Sequence, residues 1–214
     1  ENVRLRSNIK ENYRFGKIIG KSPVMQEIYE LILKAASSNV GVIIYGESGT
    51  GKELVAQAIH KMSDRKENPF VIVNAGAIPE ALMESEFFGY KKGAFTGANA
   101  DKRGLFNLAD KGTLFLDELG EIGLNLQAKM LRAIDGGGFT PVGGLNVENS
   151  DFRIIAATNQ DLKQQVTKGL MREDFFYRIH IIPIHLPPLR DRKEDIPLLI
   201  DHFMQNHSTS RNLP

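Results

Sequence analysis

The chain has 214 residues, 42% of them hydrophobic, enough to bury a sizeable core in one large domain or in one domain and a fragment. Twenty-seven basic against 26 acidic residues leave a net charge of +1, so no global field argues for nucleic acid or a membrane surface as the partner. Cysteine is absent, which removes disulfides and thiolate metal sites, and no apolar run approaches the length needed to span a bilayer. The opening residues, Glu1-Asn2-Val3-Arg4, form neither a signal peptide nor an initiator methionine, and the chain reads as a piece of a longer cytoplasmic protein.

Residues 1–15 are polar and charged with scattered Val3, Leu5, Ile9 and Tyr13, a pattern that suits a linker from an upstream domain. Ser22-Pro23 then starts a helix carrying Ile28, Leu31, Ile32 and Ala35 at helical spacing. The apolar run Val42-Ile43-Ile44-Tyr45 leads into Gly46-Glu47-Ser48-Gly49-Thr50-Gly51-Lys52-Glu53, and an amphipathic run from Leu54 to Met62 leads out. Strand, glycine loop and helix in that order make a phosphate cradle. Backbone N–H groups and the helix dipole face the anion, and Lys52 supplies a point charge for the outer phosphates. Glu53 stands where a hydroxyl ligand for magnesium is usual, so the metal must lean on waters, phosphates and carboxylates from elsewhere.

Phe70-Val71-Ile72-Val73 reads as a second strand and Pro79 to Phe88 as a helix. Gly93-Ala94-Phe95-Thr96-Gly97-Ala98 interrupts the pattern. Glycines near both ends free the backbone, and Phe95 is either tucked into the core or offered as an exposed contact. Leu105, Phe106 and Leu108 then resume an apolar helical face. Gly112-Thr113-Leu114-Phe115-Leu116 is a buried-type strand ending in Asp117 and Glu118. Carboxylates at the C-terminal end of such a strand are what a nucleotide-binding parallel sheet needs, one for magnesium and one to polarise the attacking water. The bland alternative is that the pair caps the helix carrying Leu126, Met130, Leu131 and Ile134.

Gly136-Gly137-Gly138 and Gly143-Gly144 flank a mobile loop or small hairpin. Arg153 to Ala157 is another buried strand ending in Thr158-Asn159, and the Asn159 amide either meets the water or terminal phosphate or caps the helix beginning at Asp161-Leu162. Arg172 and Arg178 bracket Phe175, Phe176 and Tyr177 ahead of a strand-like stretch from Ile179 to Ile184. Such arginines are surface ion-pair partners in most proteins, or reach a neighbour's terminal phosphate in an oligomeric phosphohydrolase. A last helix carries Ile196, Leu199, Ile200 and Phe203 on one face, and Asn206 to Pro214 is polar and unpatterned. The five histidines, His60, His180, His185, His202 and His207, have no metal-ligand spacing.

The phosphate loop, the Gly93 to Ala98 hexapeptide, the strand ending in Asp117-Glu118 and Ala157-Thr158-Asn159 together strongly resemble the central AAA+ domain of sigma-54-dependent transcriptional activators, the bacterial enhancer-binding proteins. The resemblance runs from about Ile18 onward, and a glutamate after the loop lysine is normal in that family. It implies an α/β fold: a parallel five-stranded P-loop sheet sandwiched by helices over residues 16–190, with 191–214 beginning a truncated helical lid. It implies ATP and Mg2+ as cofactors, with Lys52 the Walker A lysine, Asp117 the magnesium-linked acid, acting largely through water, and Glu118 the water-polarising residue. Asn74 would switch Glu118, Asn159 would be sensor I, and Arg172 and Arg178 would be arginine fingers acting across a subunit interface. Phe95 and Thr96 would form the tip that grips sigma-54, and the segment around Gly143-Gly144 would support it. The implied partners are sigma-54 and RNA polymerase holoenzyme and further copies of the chain in a hexamer, in the bacterial cytoplasm, with DNA bound through a C-terminal domain this chain does not carry.

Overall fold

The computed structural model of the chain describes residues 14–210; most of the expected linker, and the last four residues of the expected lid, lie outside them. Five strands, β1 (Val42–Tyr45), β2 (Phe70–Asn74), β3 (Thr113–Asp117), β4 (Arg153–Thr158) and β5 (Ile182–His185), form one sheet in the order β2-β3-β4-β1-β5. Every pairing is parallel, with Asn74 opposite Asp117 and Tyr45 opposite both Thr158 and His185. Short parallel strands buried on both faces read as continuous apolar runs, which is how this sequence presents them.

The two-residue period sends alternate side chains into two separate cores. Ile43, Leu114, Leu116, Ile154 and Ala156 face one layer, built from the helices Glu80–Phe88, Leu124–Ile134 and Glu173–Ile179. Val42, Ile44, Phe115, Ile155 and Ala157 face the other, built from the helices Pro23–Ala36 and Lys52–Lys61. Each fully buried branched side chain of β1 contributes about 1.5–3 kcal/mol relative to exposure. Phe15, at the end of the expected linker, is buried and stacks on Tyr29 with ring centroids 5.1 Å apart.

Three expectations need correction. Ile179 is helical, not strand: Phe175, Phe176 and Ile179 fall on one helical face and are buried, so the helix Glu173–Ile179 runs on and β5 begins only at Ile182. The last helix spans Ile196–Ser210 and so runs on through the stretch from Asn206, where the sequence shows no helical pattern. Asn159 does not cap the helix Leu162–Thr167; Asp161 does, its carboxylate accepting from Lys163 N and Gln164 N. The segment between the glycine clusters takes the hairpin form, with Phe139 and Glu148 exchanging backbone hydrogen bonds at 2.9 and 2.8 Å.

One buried group runs against the pattern. Arg153, the first residue of β4, is 1% exposed; its Nη2 donates to Ala35 O at 2.7 Å, while Nε and Nη1 have no hydrogen-bond partner among the described residues. Burial, and then the nearby Arg65 guanidinium, pull its pKa down to about 10. A base whose folded value lies below its unfolded value binds fewer protons when folded, so at neutral pH its charge disfavours the fold, and that penalty is relieved only as pH rises through about 10. Replacing Arg153 by Met is therefore expected to leave the stability unchanged or raise it by about 1–4 kcal/mol in urea unfolding; a loss of about 3 kcal/mol would mean that the bond to Ala35 outweighs the burial.

Candidate active site

Because the strands run parallel, the chain leaves every one of them at the same edge of the sheet, and the residues singled out by sequence collect there. Gly46 follows β1 and its N–H donates to Thr158 O at the end of β4, 3.2 Å away. The loop then turns, Thr50 Oγ1 donating to Glu47 O at 2.8 Å, and Gly51 starts the helix in the left-handed region at φ 98°. Lys52 Nζ folds back onto two loop carbonyls, Gly46 O at 3.0 Å and Glu47 O at 3.1 Å. An ammonium with only neutral acceptors is ready to exchange them for phosphate oxygens. Glu53 turns away along its own helix, accepting from Gln57 at 2.9 Å.

Glu47, Ser48, Gly49, Thr50 and Gly51 line one side of a cleft of about 930 Å³. Ile18, Ile19, Met25 and Leu186 add apolar lining, and Arg190 and Arg192 add charge. A phosphate cradle together with an apolar lining suits a nucleotide, with a flat base beside a charged tail. Arg190 and Glu47 form a bidentate pair at 2.8 and 2.5 Å, which holds the exposed Glu47 carboxyl below its ordinary range. Sequence reading passed over both arginines, since they follow Pro187-Pro188, which reads as a boundary. The signal in hindsight is the basic pair in Leu189-Arg190-Asp191-Arg192 just after the last sheet strand.

Asp117 ends β3, half-buried, and one of its oxygens accepts from Glu118 N at 3.0 Å. Glu118 is exposed and takes the left-handed conformation (φ 56°, ψ 46°), which is costly for a residue with a Cβ. The bend aims its carboxylate over Gly76: a Cβ built there would lie 2.0 Å from Glu118 Oε2 and 3.4 Å from Asn74 Oδ1. Glu118 and Asn74 thus converge on one spot, and neither acid caps the helix Leu124–Ile134, which starts from Gly123. Asn159, just past β4, is exposed and makes no hydrogen bond among the described residues. No group of three or more acidic, His or Cys side chains is placed to hold a metal ion among the described residues, so the donor set suits a magnesium that keeps waters and phosphate oxygens as ligands.

Arg172 and Arg178 are each engaged in an ion pair within their own chain. Arg172 forms a bidentate pair with Asp174 at 3.0 and 2.7 Å, and Arg178 bonds Asp135 at 2.8 Å. The Arg178 carbonyl packs beside Gly41, just ahead of β1, whereas the phosphate loop follows the other end of that strand. The glycine hexapeptide projects from the two-stranded ribbon of Gly89–Tyr90 and Lys102–Arg103. Gly93 and Gly97 have φ of 82° and 105°, Thr96 is exposed and Phe95 is 42% exposed, its ring meeting Tyr90 edge-on at 4.9 Å. Phe95 is thus exposed and not tucked into the core. The hairpin beside it touches its base, Lys91 N donating to Val142 O at 3.0 Å.

Residues 18–185 match the sequence model of the sigma-54 interaction domain. The chain belongs to that family. It is 51% identical over 198 residues to the DNA-binding transcriptional regulator NtrC of Escherichia coli K12, covering 92% of this chain and 42% of that protein. Against NtrC of Rhizobium meliloti the identity is 51% over 188 residues, covering 88% and 39%. The chain therefore spans about two fifths of the length of these relatives. Among solved structures, NtrX of Brucella abortus in complex with ATP superposes over the whole chain, and 46% of NtrX, with a TM-score of 0.85 and 35% identity. The fold is that of AAA+ P-loop NTPase domains.

Gly76 is the position where geometry makes a sharp demand. In Gly76→Ala the new methyl must push aside the Glu118 carboxylate, a flexible group, so unfolding should be little changed. Nucleotide affinity is expected to stay within about twofold while hydrolysis falls by about 100-fold, the scale of a misplaced general base; unaltered turnover in a steady-state ATPase assay would separate Glu118 from the chemistry.

Proposed function

We propose that this domain binds and hydrolyses ATP inside a homo-oligomeric ring, a hexamer by family likeness, and uses the cycle to remodel the closed sigma-54 RNA polymerase holoenzyme so that promoter DNA opens. In this reading the protein acts in the bacterial cytoplasm and DNA is bound by a C-terminal part of the whole protein outside this chain. The observation that carries the proposal is the convergence of Lys52, Asp117, Glu118, Asn74 and Asn159 at one sheet edge, together with an exposed loop tip at Phe95 and Thr96. Residues 16–190 serve as the nucleotide-binding subdomain and 191–214 as the beginning of a helical lid.

In the cycle, Gly46 to Gly51 cradle the phosphates, Lys52 leaves its two carbonyls for the outer ones, and the carboxylate of Asp117 holds magnesium mainly through water. When bound, that ion neutralises charge developing on the phosphate oxygens. Glu118 accepts the proton of the attacking water, and Asn159 donates to the terminal phosphate or orients that water. Arg172 and Arg178 leave Asp174 and Asp135 to meet the γ-phosphate of the neighbouring subunit.

The link to the loop is short in sequence. Asn74 is followed by the 3-10 turn Ala75–Ala77, the helix Glu80–Phe88 and then Gly89 at the foot of the ribbon. A change in how Asn74 and Glu118 share the space over Gly76 therefore acts on the element that carries Phe95 and Thr96. Driving such a loop from almost wholly lowered to almost wholly raised requires about 5 kcal/mol of differential binding, a quantity within reach of several charged phosphate contacts made in one nucleotide state and lost in the other.

The trans arrangement has a direct test. Arg172→Ala subunits keep a phosphate loop and lack a finger, and Lys52→Ala subunits the reverse, so each alone should be inactive. Mixtures should regain ATP hydrolysis, peaking near equal amounts; no recovery at any ratio would remove Arg172 from the neighbour's site.

A further inference from the structure

Asp195 is fully buried, and no other acidic side chain among the described residues is buried to that degree. It ends the 3-10 turn Lys193–Asp195 just before the last helix, yet its hydrogen bonds go to the other end of the chain. One carboxylate oxygen accepts from Lys21 N at 2.7 Å and Ser22 N at 2.8 Å, and the other accepts from Ser22 Oγ at 2.8 Å. Ser22 precedes the helix Pro23–Ala36 and makes no capping bond with its own hydroxyl, which is committed to Asp195 instead. The contact is tight: a Cβ at Gly20 would lie 2.8 Å from Met25 Cγ and 3.0 Å from Asp195 Oδ2.

What makes this pairing functional is what lies on either side of it. Gly16 to Ile19, just before Gly20, and Arg192 and Leu199, on either side of Asp195 in sequence, all line the nucleotide cleft. Arg192 extends the same tie, donating to Thr50 O of the phosphate loop at 3.3 Å and to Met25 Sδ at 3.2 Å. Tyr29 donates to Gly20 O at 3.1 Å, and burial followed by the Asp195 carboxylate pushes its phenol upward, so it stays a donor.

We infer that Asp195 is a positioning residue for the part of the cleft beyond the phosphate loop: its carboxylate locks the turn that follows the Gly16–Ile19 lining segment to the root of the last helix, so the two segments that would hold the nucleoside keep one separation. The inference rests on the reading of the cleft as a nucleotide site and adds which part of the ligand this group governs. An amide in place of the carboxylate keeps one oxygen for Lys21 N and Ser22 N, but it sets an NH2 donor against the Ser22 hydroxyl and removes the charge that strengthens all three bonds, so the turn loosens. The phosphate loop is built on β1 and its own helix, and its one bond to this region, Arg192 to Thr50 O, does not run through the Asp195 carboxylate. The cost therefore falls on base and ribose, and the polyphosphate is still held.

Equilibrium binding of ATP and of inorganic tripolyphosphate to the whole chain, in wild type, Asp195→Asn and Ser22→Ala, tests this. Asp195→Asn is expected to raise the Kd for ATP by about tenfold, and Ser22→Ala, which removes one of the three bonds, by about threefold, with tripolyphosphate unmoved in both. Should Asp195→Asn fail to fold, Ser22→Ala decides alone. Unchanged ATP affinity in the variants, or equal losses for ATP and tripolyphosphate, would overturn the positioning role while leaving the nucleotide site in place. A wild-type chain that binds neither ligand would instead remove the nucleotide reading, and this inference with it.

Discussion

Parallel strand pairing in register is the constraint from which the site follows. With Asn74 opposite Asp117 and Tyr45 opposite Thr158, each strand releases its next residues at one edge, and the switch in strand order around β1 opens a crevice there. Burial of alternate side chains in two cores fixes that register, because a slip of one residue would turn Ile43 into the layer that belongs to Val42 and Ile44. The chemistry of the domain is therefore positioned by apolar packing some distance from it, and the polar residues at the edge are free to be exposed and mobile.

Two local features depart from easy folding, and both serve the edge. Glu118 holds a left-handed backbone, and Gly76 is the residue whose lack of a side chain gives its carboxylate room beside Asn74. Asp195 is a buried carboxylate satisfied by three donors from a segment 173 or more residues away, a specific tie between two segments that line the cleft. Arg153 shows the contrast, a buried charge with one acceptor and no chemistry assigned to it.

The five strands, the phosphate loop, the acidic pair and the projecting hexapeptide were legible in the sequence, since each is a short apolar run or glycine cluster whose meaning is local. Asn159 was legible as a residue, and the structure removes only its capping alternative, since Asp161 takes the cap. The helix through Ile179 was misread because a β-branched run, Ile179 to Ile184, masks the helical spacing of Phe175, Phe176 and Ile179. Asp195, Arg190 and Arg192 were not legible at all. Their partners, Ser22, Glu47 and Thr50, lie more than 140 positions away, and nothing in a run such as Lys193-Glu194-Asp195 marks which acid is buried.

The central claim is that the nucleotide state of the sheet edge controls the exposed loop and that the loop grips sigma-54. Capture of purified sigma-54 by the whole protein tests it most directly, with ADP plus aluminium fluoride, where the planar fluoride stands in for the transferring phosphoryl group, and with ADP alone. Capture only in the fluoride state, abolished by Thr96→Ala while ATP hydrolysis persists, is the predicted result. Capture that is indifferent to nucleotide, or undiminished in Thr96→Ala, would contradict the coupling and take the Gly93 to Ala98 loop out of the contact.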